Sequence, residues 1–184
     1  MVYIHLATGF EEVEALTVVD VLRRAEIQAK TVSVTDSRAV AGNHGISVLT
    51  DLLFEEADYD SCEMIVLPGG LPGASNLGAH VGLRDRIIEF AKADRPDKKV
   101  AAICAAPMIL ADCGILEGRK ATIYPGMEKY LGNAEATEES VVVSGNIITG
   151  RGPAFAMAFA LTLVEELGGK ALRDEVAAGL LYEG

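Results

Sequence analysis

The feature that most constrains the fold is a set of short apolar runs that lack polar alternation. Residues Val2–Ala7, Met64–Leu67 and Val100–Ile103 form three such runs, and segments with helical spacing lie between them. A strand that is apolar at nearly every position needs cover on both faces, which is typical of a parallel sheet between helices. Because these apolar runs alternate along the chain with helical segments, the sequence predicts an α/β fold with a mostly parallel central sheet and helices on both faces.

Several further elements are predicted from the same patterns. The segment Val40–Asp51 contains three turn-forming residues between β-prone pieces and predicts a hairpin or an irregular edge. Helical spacing predicts a first helix from about Glu11 to Ala25 and another near Leu83–Ala93. Short strands are expected at Ala121–Ile123 and in a hairpin whose turn is the sequence VSGNI, residues 143–147.

Length, charge and cysteine use limit the class of protein. The chain has 184 residues, half of them apolar, and no linker long enough to divide it, so we expect one domain over residues 1–184. A net charge of −11 argues against nucleic acid or an anionic membrane as partner. The three cysteines form no C-x-x-C pair and no cluster with histidine, so we predict free thiols, no metal site and a cytoplasmic location.

Cys104 is the strongest candidate for a reactive group. It lies in the sequence VAAICAAP, residues 100–107, where a buried strand runs directly into a helix. Such a junction needs a sharp turn with small neighbours, the device that lifts a nucleophile above the sheet in some hydrolases. The start of a helix favours negative charge, so the pKa of Cys104 is predicted to fall below the value of about 8.5 for a free thiol. The alternative is a buried structural cysteine.

The glycine-rich sequence LPGGLPG, residues 67–73, follows another central strand. Gly70 lies just past the carboxyl end of that strand, where open α/β sheets place their ligands. Backbone N–H groups at such a loop can approach and stabilise an oxyanion, although a plain turn is equally compatible. The chain has neither G-x-x-x-x-G-K-[ST] nor G-x-G-x-x-G, so no nucleotide cofactor is predicted.

An acid and the histidines complete the candidates. Glu11 and Glu12 are ordinary charges at a helix start, whereas Glu14 lies beside the apolar stripe and either points inward or remains on the surface. An inward carboxyl would have a raised pKa and could donate a proton to a thiolate. No histidine is an evident base for Cys104. His5 lies inside a predicted strand, His80 is either a helix cap or a surface residue, and His44 lies in the glycine-rich edge segment, from which it could reach a rim.

Four motifs together resemble the ThiJ/PfpI superfamily, in the branch of the Parkinson-associated protein deglycase and its bacterial relatives. They are GFEEVEA with VDVLRRA, then IVLPGG with GASNL, then AAICAAP, and finally GRGPA before the last long helix. They occur in the order of that family and at compatible spacing over nearly the whole chain. The resemblance implies a flavodoxin-like, doubly wound sandwich that is usually a homodimer.

The same resemblance assigns roles to individual residues. It makes Cys104 the nucleophile and Glu14 the protonated acid beside it. The amides of Gly70 and Ala105 would form an oxyanion pocket that Gly69 shapes. Arg24 and Arg151 would line or support the pocket and the rim of the dimer.

Two departures from the family pattern bear on the mechanism. Relatives often carry a histidine in the loop where this chain has Tyr124, which is a poor base at neutral pH. Where some relatives carry arginine, this chain has His44. The protease-like branch carries a histidine directly after its cysteine, and Ala105 in that place argues against peptidase activity.

Three functions are compatible with these residues. The first is a cysteine-dependent, cofactor-free enzyme that acts on small reactive carbonyls, as a glyoxalase or deglycase does. The second is a redox-sensing thiol protein or chaperone whose Cys104 oxidises to a sulfinate. The third is a binding or scaffold role in which Cys104 is inert.

Overall fold

The computed structural model describes residues 1–92, 95 and 97–183. In chain order its strands are β1 (Val2–Leu6), β2 (Ala29–Ser33), β3 (Ala39–Ala41), β4 (Ser47–Leu49), β5 (Leu52–Leu53), β6 (Met64–Leu67), β7 (Lys99–Ile103), β8 (Lys120–Ala121), β9 (Glu135–Ala136), β10 (Val141–Ser144) and β11 (Ile147–Gly150). Its α-helices are α1 (Glu12–Arg24), α2 (Gly73–Ala79), α3 (Val81–Phe90), α4 (Pro107–Asp112), α5 (Ala156–Gly168) and α6 (Lys170–Gly179).

A seven-stranded sheet in the order β10-β11-β7-β6-β1-β2-β5 forms the centre of the molecule. Its strands pair in parallel except at the antiparallel β10–β11 hairpin. The chain runs from β1 to β2 on one side and then crosses to β6 on the other, so the strand order reverses between β1 and β6. That order is the flavodoxin-like, doubly wound arrangement, in which ligands bind at the reversal point.

Successive residues of the central strands enter two different hydrophobic cores, which is why these strands lack polar alternation. In β6, Met64 and Val66 pack in the core that also holds the buried faces of α1, α5 and α6. Ile65 and Leu67 pack in the opposite core, beneath α2, α3 and α4. The prediction of helices on both faces of a mostly parallel sheet is confirmed.

The finer element predictions are confirmed in part. β3 and β4 form the hairpin expected within residues 40–51, and β10 and β11 form the second. The strand expected at Ala121–Ile123 overlaps the observed one only at Ala121, because β8 covers Lys120–Ala121 and pairs with β9 in a separate small sheet. Helix α3 ends at Phe90 rather than near Ala93, which lies outside the described residues. No helix in residues 1–92, 95 and 97–183 has both the length and the apolar composition needed to cross a membrane.

His5 is fully buried in β1, and the neighbouring aromatic side chains explain why. Its Nε2 atom lies 2.7 Å from the hydroxyl of Tyr59, and the two rings stack. Burial lowers the pKa of His5 to about 3, with a smaller contribution from His80. His80 caps α3, since its Nδ1 atom accepts a hydrogen bond from the Leu83 amide. The structural role predicted for His5 is therefore confirmed, and His80 has the helix-cap role, one of the two alternatives that the sequence leaves open.

Replacement of His5 should change how stability depends on pH. Because the folded-state pKa of about 3 lies below the ordinary value of 6.5, the unfolded chain binds an extra proton between these values, and His5 costs stability as the pH falls. We expect the free energy of unfolding of wild type, minus that of His5→Gln, to rise by about 2 kcal/mol between pH 5 and pH 7. Urea denaturation of both proteins measures this difference, from which other titrating groups cancel. A difference that is constant with pH would contradict the account.

Candidate active site

Three loops at the carboxyl ends of neighbouring strands converge on one place. The loop after β1 leads into α1, which carries Glu14, and the loop after β6 contains Gly69 and Gly70. The turn after β7 contains Cys104. Because β1, β6 and β7 are adjacent in the sheet, their carboxyl ends meet at the reversal point of the strand order.

Cys104 occupies a sharp, strained turn. Its φ angle of 63° lies in the left-handed region, which residues other than glycine rarely adopt. This backbone conformation costs about 1–3 kcal/mol. Two hydrogen bonds fix the turn: the Cys104 amide donates to the Gly150 carbonyl, and the Tyr124 amide donates to the Cys104 carbonyl, each at 2.9 Å. The cysteine is only 9% exposed. The structure therefore places Cys104 at the strand-to-helix elbow that the sequence predicts.

Gly69 allows Glu14 and Cys104 to approach each other. A Cβ atom on Gly69 would lie 2.7 Å from Cys104 Cβ and 2.8 Å from Glu14 Oε2. The Gly69 amide instead donates a hydrogen bond of 2.7 Å to Glu14 Oε2. The inward orientation of Glu14, which residue patterns alone leave open, is thus the one in the structure.

Two backbone amides act on the thiol of Cys104. They belong to Gly70 and Ala105, and both lower the pKa of the thiol. Gly70 has a φ of 84°, and a Cβ there would lie 2.6 Å from the Glu11 nitrogen, so only glycine fits this position without displacing the neighbouring loop. Two amide donors beside one nucleophile can also stabilise an oxygen that acquires negative charge.

Glu14 has no exposed surface, and this decides its protonation. Burial raises the pKa of the Glu14 carboxyl to about 7, although the hydrogen bond from the Gly69 amide and the neighbouring Cys104 thiol lower it. The Glu14 Oε1 atom has no hydrogen-bond partner of ordinary geometry in the described part of the chain. A carboxyl with this pKa can both accept and donate a proton near neutral pH.

The thiol of Cys104 does not follow the sequence-based prediction of a lowered pKa. Burial raises its pKa to about 12, and the negative charge of the Glu14 carboxylate adds to that rise. The amides of Gly70 and Ala105 act in the opposite direction but do not outweigh burial. The prediction was wrong because the start of α4 is not exposed to solvent around the sulfur, and removal of water disfavours a thiolate.

Similarity to known proteins extends over most of the chain. The model of the DJ-1/PfpI family matches residues 1–166. The chain belongs to the DJ-1/PfpI family. It is 38% identical over 178 residues to protein dj-1beta of Drosophila melanogaster, covering 96% of this chain and 94% of that protein. It is 35% identical over 150 residues to deglycase PfpI of Pyrococcus furiosus, covering 80% of this chain and 87% of that protein.

A solved structure of an oxidised DJ-1 from Toxoplasma gondii has the same fold. Its TM-score is 0.93 at 34% sequence identity, and the match covers 100% of this chain and 98% of that one. The family resemblance carried by the four sequence motifs is therefore confirmed, as is the flavodoxin-like fold.

Two other residues that the DJ-1/PfpI resemblance singles out lie beside the Cys104 turn. Tyr124 donates its backbone amide to the Cys104 carbonyl and exposes its ring. Arg151 follows Gly150, whose carbonyl accepts the Cys104 amide, and its guanidinium bonds the carbonyl of Glu138. Tyr124 and Arg151 line one shared cleft.

Arg24 does not join this group within one chain. It ends α1, about 15 Å along the helix from Glu14, and its guanidinium pairs with Asp20 at 2.7 Å. It lines a different cavity, between the end of α1 and α6. Arg24 therefore does not line the Cys104 pocket of its own chain, and its place at the rim of a dimer stays a prediction.

Glu12 is the residue that sequence reasoning missed. It is buried rather than a surface charge, and its Oε1 accepts the His44 amide at 2.7 Å. The His44 ring Nδ1 lies 2.9 Å from Glu12 Oε2, and this contact raises the pKa of His44. Glu11, Glu12 and His44 have oxygen and nitrogen atoms close enough to share a metal ion. Both oxygens of Glu12 are already bonded to the hairpin, which is sufficient reason for its burial.

Substitution of Gly69 should test whether close approach matters for the reactivity of Cys104. We expect Gly69→Ala to slow alkylation of Cys104 by iodoacetamide at pH 7 by at least about tenfold, because the new Cβ forces Glu14 and Cys104 apart, and to cost about 1–3 kcal/mol of stability.

Gly78→Ala is the matched control. A Cβ at Gly78 would lie 3.4 Å from an Ile109 side-chain carbon, an ordinary contact, and Gly78 is within α2. The control should alkylate at the wild-type rate. Equal rates for Gly69→Ala and wild type would contradict the role assigned to Gly69.

Proposed function

We propose that the protein is a cysteine-dependent, cofactor-free enzyme that converts small α-oxo aldehydes to 2-hydroxy acids. The observation that carries this proposal is a nearly buried thiol on a strained elbow, next to a buried carboxyl whose pKa is raised to about 7. Membership in the DJ-1/PfpI family and relatives named deglycases support the same reading. Together they favour chemistry on reactive carbonyls and a role in protection against them.

Glu14 takes the place of the missing histidine base in this proposal. With a pKa of about 7 it can accept the Cys104 proton, whereas the thiol, with its pKa raised by burial, does not ionise alone near neutral pH. The sulfur attacks the aldehyde carbon, a carbon–sulfur bond forms, and the carbonyl electron pair moves to the oxygen. Glu14 then returns the proton to that oxygen, which the Gly70 and Ala105 amides stabilise meanwhile.

The remaining steps need no external oxidant. The Glu14 carboxylate removes the proton on the former aldehyde carbon and returns it to the neighbouring carbon. The hydroxyl proton on the first carbon's oxygen passes to the oxygen of the neighbouring carbon. The first carbon is thereby oxidised to a thioester while the second is reduced to an alcohol. Water hydrolyses the thioester, which releases the 2-hydroxy acid and restores the thiol, so the net change is the addition of one water.

Lactate formation from methylglyoxal tests the proposal directly. We expect Cys104→Ala to reduce activity to background and Glu14→Gln to lower kcat by about a hundredfold to ten-thousandfold, the usual contribution of a general acid or base. Cys113→Ala is the control, because that half-buried thiol lies outside the site. Wild-type rates in Cys104→Ala would refute the proposal.

A second candidate function is redox sensing by Cys104. It is supported by the Oε1 atom of Glu14 beside the thiol, which has no hydrogen-bond partner among the described residues, since a protonated carboxyl there can donate to a sulfinate oxygen. Each oxidation step would transfer one peroxide oxygen to sulfur and release water. Mass spectrometry after mild peroxide should then find oxygen on Cys104 before Cys62, which is fully buried, or Cys113. Earlier oxidation of either of those would refute this candidate.

We also propose a homodimer that uses α1. Val13 and Leu16 on that helix are 53% and 38% exposed, and apolar side chains grouped on a helix are suited to contact with a second copy.

A further inference from the structure

An apolar cleft of about 280 Å³ lies beside the Cys104 turn. Its wall includes the rings of Tyr124 and Phe155, which are 46% and 38% exposed, together with Pro125 and Pro153. Proline rings restrict the backbone on both sides of the cleft. Exposed aromatic rings in a rigid, mostly apolar wall are the kind of surface that small-molecule sites use for binding.

Each wall of this cleft is tied by a hydrogen bond to the backbone of Cys104. Tyr124 donates its amide to the Cys104 carbonyl, and Pro125 follows directly. The Cys104 amide donates to Gly150, and Arg151 begins the opposite wall. Tyr124 and Arg151, which begin the two walls, are therefore held next to the backbone of the Cys104 turn.

The chemistry of the wall decides what fits. The Arg151 guanidinium donates through Nη1 to the Glu138 carbonyl and lies near the Glu138 carboxylate, which already supplies a counter-charge. A Cβ on Gly152 would lie 3.4 Å from the Tyr124 ring, which shows that this ring packs against the backbone of the opposite wall. What the cleft offers a ligand is therefore aromatic and apolar surface.

We propose that this cleft is the subsite for the substrate's side group and selects α-oxo aldehydes that carry an aryl group. The inference rests on the proposed function. The aldehyde carbon lies at Cys104 while the aryl ring packs against Phe155 and Tyr124. Phe155 is the residue that determines the preference, because its ring contributes exposed surface to the cleft from the start of α5.

The first test compares kcat/KM for phenylglyoxal and methylglyoxal. We expect the ratio of the two to fall about tenfold in Phe155→Ala, the effect of losing one aromatic contact, and by less in Phe155→Leu, which keeps apolar bulk. Tyr130→Ala is the matched control, because that ring is 48% exposed and does not line the cleft. It should leave the ratio at the wild-type value. An unchanged ratio in Phe155→Ala would overturn the proposal.

A second test does not depend on turnover, so that it separates failure of this proposal from failure of the proposed function. Cys104 is alkylated with 2-bromoacetophenone and with iodoacetamide, and the rates are compared by mass spectrometry. The ratio of aryl to small reagent should again fall about tenfold in Phe155→Ala and not in Tyr130→Ala. An unchanged ratio together with a lower oligomeric mass for Phe155→Ala would instead make the cleft an interface between copies and would overturn the proposal.

Discussion

Burial of the Glu14 carboxyl against Cys104 is the interaction on which the site depends. Glycine at position 69 is its structural condition, since any side chain there would occupy the space in which the two groups meet. The left-handed backbone of Cys104 is a second requirement, because it forms the sharp turn at which Cys104 lies next to Glu14. Packing of the sheet between its two helical layers fixes the Gly69 loop and the Cys104 turn, and it offsets the strain of that turn.

Burial raises the pKa of both Glu14 and Cys104, but the effect on reactivity differs between the two groups. A buried carboxyl with a pKa of about 7 becomes a base suited to neutral pH, whereas a buried thiol becomes harder to ionise. Burial therefore opposes ionisation of the thiol more strongly than the amides at the start of α4 favour it. The proposed role of Glu14 as the base that receives the thiol proton follows from this asymmetry, and it removes the need for a histidine near Cys104.

The sequence predicts the parts of this protein that depend on local patterns. Apolar runs without alternation identify β1, β6 and β7, and small residues around Cys104 identify the elbow. Contacts between segments far apart in the chain leave no such pattern. The burial of Glu12 depends on a hairpin some thirty residues later, and the pKa of Cys104 depends on solvent exclusion by three loops. The inward orientation of Glu14 could be predicted only from the family resemblance. The same resemblance assigned Arg24 to the pocket or the dimer rim, but Arg24 does not line the Cys104 pocket of its own chain.

The most direct test of the account is the pH dependence of Cys104 alkylation by iodoacetamide in wild type and Glu14→Gln. If Glu14 receives the thiol proton, the wild-type rate rises with pH through a midpoint near 7, the pKa of that carboxyl. In Glu14→Gln that midpoint disappears and the rate rises only at much higher pH, where the thiol ionises alone. A midpoint near 7 that persists in Glu14→Gln, or a wild-type rate already maximal at pH 5, would contradict the account.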